Sequence, residues 1–232
     1  MTIHGLQKMT LLDFPGHVAC TVFLGGCDFR CPFCHNFQLV ENPGPGMMEE
    51  EEFFSFLKKR AGLLDGVAIT GGEPCLRKDL PDFLEKIHAL GFLTKLDTNG
   101  AHPEVLRQVL SRGLADYVAM DIKNSPEKYA RTCGLPAMDL TPVRESVRLL
   151  LESGVEYEFR TTVVDELHEE KDFAEIGAWL RGAKRYFLQA FTDRDSVPFG
   201  GLHAPSAEQM TAYAHLVDAL GVPTRVRGVE NA

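Results

Sequence analysis

Short apolar runs alternate with amphipathic stretches along nearly the whole chain, and that alternation leaves few folds open. Runs at 17–24, 66–70, 93–97, 117–121, 157–164, 186–190 and 224–226 are predicted strands, bounded by glycine, proline or aspartate. The stretches between them have helical periodicity and readable ends. Asp79 stands at the cap position before an apolar face of Leu80, Phe83, Leu84, Ile87 and Leu90, which Gly91 closes. Thr141-Pro142 opens another helix carrying Val143, Val147, Leu150 and Leu151. Ser206 with Gln209 forms a capping box ahead of Met210, Tyr213, Val217 and Leu220. Residues 49–52, all glutamate, suit a solvated first helical turn, Met47 and Met48 read as loop, and 42–46 as a turn. Strands separated by helices pair in parallel, because parallel neighbours need a crossover. About six β/α units in 232 residues make an α/β chain of one domain, 1–232, folded as a partial (β/α)6 TIM-like barrel.

In such barrels, function gathers on the loops after the C-terminal strand ends. The loop with Cys27, Cys31 and Cys34 follows the first predicted strand, and Gly71-Gly72-Glu73-Pro74 follows the second. Asp97-Thr98-Asn99-Gly100 ends the third, and Asp121-Ile122-Lys123 ends the fourth. Four polar, glycine-rich or thiol-bearing signals therefore share one rim. A net charge of -9 with no dense basic run argues against a nucleic-acid partner. No apolar run approaches the ~20 residues of a membrane span, and the N-terminus lacks a signal-peptide core, so a cytoplasmic chain is expected.

Three of the six cysteines, Cys27, Cys31 and Cys34, fall in the loop 24–36 with spacing Cys-x3-Cys-x2-Cys. In a cytosolic chain such clustering points to metal, since disulfides do not persist there. Soft thiolates suit an iron–sulfur cluster or zinc. A [4Fe–4S] cluster takes four cysteines as a rule, so three would leave one iron open to a ligand. The competing reading is a structural zinc site whose fourth ligand is His35 or a distant cysteine. Cys20, Cys75 and Cys133 are scattered, and are expected to pack without touching the chemistry.

The segment Cys27-x3-Cys31-x-Phe33-Cys34 resembles the signature of the radical S-adenosylmethionine (SAM) enzymes, and Gly71-Gly72-Glu73-Pro74 resembles their GGEP segment. Leu11-Leu12-Asp13-Phe14-Pro15-Gly16 and Cys34-His35-Asn36 look like the activating enzymes of glycyl-radical proteins. Among those, the short anaerobic ribonucleoside-triphosphate reductase activating proteins are the nearest in pattern. The resemblance runs from the N-terminus to about Arg160. It implies the radical SAM fold, with Cys27, Cys31 and Cys34 holding a [4Fe–4S] cluster whose open iron chelates SAM. It further implies a SAM pocket formed by Phe33, Cys34, His35, Gly71, Gly72, Glu73, Asp97, Thr98, Asn99, Asp121, Lys123 and Arg160. A monovalent cation held by Asp97, Thr98 and Asp121 near the SAM carboxylate belongs to the same expectation.

The implied reaction is one-electron cleavage of SAM to methionine and a 5'-deoxyadenosyl radical, which takes hydrogen from a glycine Cα of a partner protein. The implied partner is anaerobic ribonucleotide reductase, engaged through its C-terminal glycine loop, with a flavodoxin or ferredoxin as electron donor. Loss of the Glu73 carboxylate is expected to weaken SAM binding and spare the cluster. Activation of a pyruvate formate-lyase type enzyme, or small-molecule chemistry as in 7-carboxy-7-deazaguanine synthase, uses similar motifs. A zinc-stabilised binding module is the alternative without catalysis.

Overall fold

A computed structural model describes residues 1–41 and 43–229, so Asn42, with which the expected turn begins, lies outside the described residues. The N-terminal half contains β1 (Thr2–Ile3), β2 (Gly5–Thr10), β3 (Ala19–Leu24), α1 (Phe37–Glu41), β4 (Met48–Glu49), α2 (Glu50–Lys58), β5 (Gly66–Gly71), α3 (Leu80–Ala89), β6 (Leu93–Thr98) and α4 (Pro103–Ser111). After it come β7 (Tyr117–Asp121), α5 (Tyr129–Thr132), α6 (Thr141–Glu152), β8 (Glu156–Val163), α7 (Glu170–Trp179), β9 (Tyr186–Ala190), α8 (Ala207–Ala219) and β10 (Thr224–Arg227).

The main sheet has the order β10-β9-β8-β7-β6-β5-β3-β2. From β3 to β10 its strands run parallel, each crossing through at least one helix, and β2 adds an antiparallel edge. This is the expected α/β barrel-type sheet with one strand more than the sequence revealed. The pattern hides β2 because Gln7, Lys8 and Met9 are exposed in succession, with no alternation of burial. Met48 is not loop: it pairs with Ile3 in the small β1–β4 ribbon. Asp79 occupies the cap of α3 but makes no side-chain bond, its ψ near 2° lying outside the extended region from which a cap reaches back. Thr141 is the first residue of α6, and its amide donates to the Asp139 carboxylate. The Ser206–Gln209 capping box forms as expected.

Alternate strand residues face opposite ways, and the two faces differ. Val22, Val67, Ile69, Leu96, Val118, Met120, Tyr157 and Phe159 belong to the large apolar core shared with the helices. The inner face is small and polar. Near its N-terminal end, Phe14, Ala19, Tyr117 and Ala119 form a separate apolar floor. Phe14 lies so close to Gly66 that a Cβ there would come within 2.9 Å of the ring. Further along the same face stand Lys95, Asp97, Asp121, Glu158 and Arg160, in register across β6, β7 and β8.

Candidate active site

The loop after β3 carries Cys27, Cys31 and Cys34, and its path is fixed by its own backbone. The Gly26 amide donates to the Leu39 carbonyl at 2.8 Å, and the Cys34 amide to the Cys31 carbonyl at 3.1 Å. The Arg30 guanidinium donates to the carbonyls of Cys27 and Phe29. The Cys27 sulfur is met by two donors. The Phe29 amide and the Asn99 side-chain amide both point to Cys27 Sγ, at 3.4 and 3.7 Å. Burial pushes the Cys27 thiol up to about 12 and raises that of Cys34, so as free thiols they are poor nucleophiles. Soft sulfur with donors already in place is suited to metal-bound thiolate.

The loop after β5 crosses this one at very short range. The Gly72 amide donates to the Leu24 carbonyl and the Glu73 amide to the Gly26 carbonyl, both at 2.8 Å. A Cβ on Gly71 would sit 2.3 Å from the Leu24 oxygen, and one on Gly72 would sit 2.0 Å from that of Gly26. Both glycines are therefore required by loop-to-loop contact. Glu73 is buried, and its carboxylate accepts from Thr98 Oγ1 at 2.7 Å, the Asn99 amide at 2.6 Å and the Cys75 amide at 2.9 Å. A carboxylate offers about four acceptor positions, so one remains for a ligand. The Asn36 side chain closes the junction by donating to the Gly71 carbonyl.

Charge is concentrated on the strands beside these loops. Arg160 Nε donates to Asp121 Oδ1 at 2.9 Å, and its Nη1 lies 3.6 Å from Asp97. Lys123 pairs with Asp121 at 2.9 Å, and Lys95 pairs with Asp97. Burial opposes ionisation of Asp121, but the Arg160 and Lys123 charges outweigh it and hold the carboxyl well below the usual range. The same balance, with Arg160 and Lys95, lowers Asp97. The Arg160 guanidinium spans the Asp97 and Asp121 carboxylates, and the Thr98 hydroxyl donates to Glu73, at the place where the sequence reading expected a monovalent cation.

All fourteen residues singled out from the sequence line one cavity of about 440 Å³. The sequence missed Thr162, Gln189, Thr192, Arg194, Arg227 and Gly228 on its far wall. Gln189 and Arg227 stand at the C-terminal ends of β9 and β10, so the rim rule applied to the last strands would have found them. His35 joins the two walls: its Nε2 is 2.6 Å from the Thr192 carbonyl and its ring stacks on Phe191. Cys20, Cys75 and Cys133 are buried, as expected. Among the described residues no three His, Cys, Asp or Glu side chains converge on one ion-sized point.

The family model for the radical SAM superfamily matches residues 21–178, a span that begins in β3 and includes the cysteine loop. The chain belongs to the radical SAM superfamily. Members of this superfamily use a [4Fe–4S] cluster and SAM, and the three cysteines lining the open cavity fit both. A relative from Methanocaldococcus jannaschii, whose name assigns it by inference to the glycyl-radical enzyme activating enzymes, is 32% identical over 200 residues. That match covers 84% of this chain and 81% of the relative, which places this radical SAM enzyme in the activating type. The pyruvate formate-lyase-activating enzyme of Clostridium pasteurianum is 32% identical, over 53% of this chain and 52% of its own. In fold alone, a radical SAM methyltransferase from Sphaerobacter thermophilus superposes with a TM-score of 0.74 at 16% identity, covering 96% of this chain and 69% of that one.

Proposed function

We propose that this radical SAM enzyme generates a glycyl radical on anaerobic ribonucleoside-triphosphate reductase, within a single domain spanning 1–232. The observation that carries the reading is the convergence of the three cysteine sulfurs, the Gly71–Glu73 crossing and the charged strand ends on one cavity. In this reading Cys27, Cys31 and Cys34 hold the [4Fe–4S] cluster, and Gly71, Gly72 and Glu73 receive the amino group of SAM. Lys123 and Arg160 line the cavity beside Asp97 and Asp121 and offer cationic partners to the SAM carboxylate. Phe33, His35, Thr98 and Asn99 wall the remainder, and Phe29 and Val40 keep that wall apolar against water. When bound, cluster and SAM together supply one-electron cleavage of the sulfonium and hydrogen abstraction from the partner's glycine. An electron donor of the flavodoxin or ferredoxin type completes the cycle. The activating type is supported by the Leu11–Gly16 and Cys34–Asn36 segments and by the M. jannaschii relative, and the choice of reductase by the likeness in pattern to the short reductase-activating proteins.

Anaerobically reconstituted protein should bind about four irons per chain, and serine at Cys27, Cys31 or Cys34 should abolish that loading. Mixed with the reductase, SAM and a reductant, it should yield an electron paramagnetic resonance doublet that disappears when the reductase's C-terminal glycine is changed to alanine. SAM cleavage without that doublet would reject the reductase as partner and favour another glycyl-radical protein, such as one of the pyruvate formate-lyase type. A fully loaded protein that leaves SAM intact would reject the enzyme reading.

A further inference from the structure

On the cofactor side of the cavity, Glu73, Asp97, Asn99, Asp121, Lys123 and Arg160 are all engaged in hydrogen bonds within the protein. The opposite wall is different. The parallel register sets Thr162 of β8 beside Gln189 of β9, and Gln189 beside Arg227 of β10, so the three form one row across the last strands. All three line the cavity, while Leu188, the residue before Gln189, faces the apolar core on the other side of the sheet. Arg227 is committed: its two Nη groups donate to Glu158 at 2.9 Å, and its guanidinium carbon lies 3.3 Å from the centre of the Phe187 ring. Among the described residues, Thr162 and Gln189 make no side-chain hydrogen bond within the protein. The Gln189 amide, in the middle of the row, therefore meets the cavity with its carbonyl and N–H groups unspent. The superfamily match ends at residue 178, so β9 and β10 lie outside the segment shared with the superfamily model.

We infer that Gln189 is a specificity-determining residue that reads the main chain of the partner polypeptide beside the glycine that loses hydrogen. The inference deepens the proposed function and rests on it. Glycine has no side chain, so recognition falls to the peptide groups around it, which offer N–H donors and carbonyl acceptors. A glutamine amide carries the complementary acceptor and donor on one planar group. The residues proposed to hold cluster and SAM follow β3, β5, β6 and β7, with Arg160 of β8 beside them, and β9 and β10 stand at the other end of the sheet. A glycine between the two walls then faces SAM on one side and Gln189 on the other.

The test compares wild type, Gln189→Ala and Gln189→Glu after anaerobic reconstitution, by calorimetric SAM binding and by the rate of glycyl-radical formation at varied reductase concentration. Gln189→Ala should bind SAM as wild type does and show a KM for the reductase raised about tenfold, with kcat changed far less. Gln189→Glu has the same shape without the N–H donors and should raise KM at least as much, whereas a packing role would leave it at the wild-type value. A wild-type KM in Gln189→Glu overturns the inference. So does a loss confined to SAM affinity, which would put Gln189 in the cofactor's own site. If Gln189→Ala fails to load iron, Gln189→Glu decides by the same two criteria. Wild-type enzyme that cleaves SAM but leaves no radical on the reductase overturns the choice of partner and the inference with it. A normal wild-type doublet with an unchanged KM in the variants overturns the inference alone, so the two failures are separable.

Discussion

Glu73 shows how one side chain can belong to both fold and chemistry. From sequence alone, its loss should be felt in SAM affinity and nowhere else. The structure adds three intramolecular donors, from Thr98, Asn99 and Cys75, all of which Glu73→Ala leaves without an acceptor. Each unsatisfied buried donor costs about 1–3 kcal/mol, so roughly 3 kcal/mol or more of stability should be lost. Because Asn99 also reaches Cys27, iron loading should fall in parallel. An unfolding midpoint equal to wild type would show that the three bonds carry no weight. His168 carries a pH prediction of the opposite kind. Burial holds its pKa below the ordinary 6.5, with Nδ1 accepting the Val164 amide and Nε2 donating to the Lys123 carbonyl. The unfolded chain binds a proton there more readily than the folded one. The stabilisation is therefore complete above about pH 6.5 and lost as pH falls from 6.5 toward the folded value. Denaturant melts of cluster-free protein from about pH 7.5 to about pH 5 should show that decline, and His168→Gln should flatten it. Equal slopes in the two proteins would discard the assignment.

At the scale of elements, local patterns differ in how much they disclose. The strand ends that carry Gly71, Thr98 and Asp121 are legible because a short apolar run stops at a polar or glycine-rich signal. The edge strand β2 is not, since one of its sides faces solvent and its middle residues are polar or isolated. Nor does spacing reveal that residues after α5 press on the cysteine loop, because that contact joins segments about a hundred residues apart through backbone atoms. Sequence patterns report side-chain periodicity, and this junction is built from a carbonyl, an amide and a missing Cβ. Gly134→Ala tests it. The positive φ and the approach to Arg30 should cost about 1–3 kcal/mol, and loading of the cluster should become incomplete. Wild-type iron content together with an unchanged melting curve would show that α5 does not brace the loop.

For the whole molecule, the inner face divides into an apolar floor and a charged mouth, and the two should be separable by mutation. Phe14 fills the floor against His17 and Tyr117, and Phe14→Ala should cost about 3–5 kcal/mol. Protein that remains folded should still load its cluster, because the floor lies at the opposite end of the strands from the cysteine loop. A variant that is stable yet cannot bind iron would break that separation. The neighbouring Leu11 and Leu12 are exposed, so the LLDFPG segment joins a buried anchor to an outward-facing tip. The sheet itself never closes: among the described residues β2 and β10 each end it without a further strand. A row of unpaired amides and carbonyls is a template on which another copy could add a strand and begin a chain of association. Lys8 is exposed on one border and Arg225 on the other. Two borders of like charge repel when copies meet edge to edge, so an unclosed sheet carries its own guard against polymerising with itself.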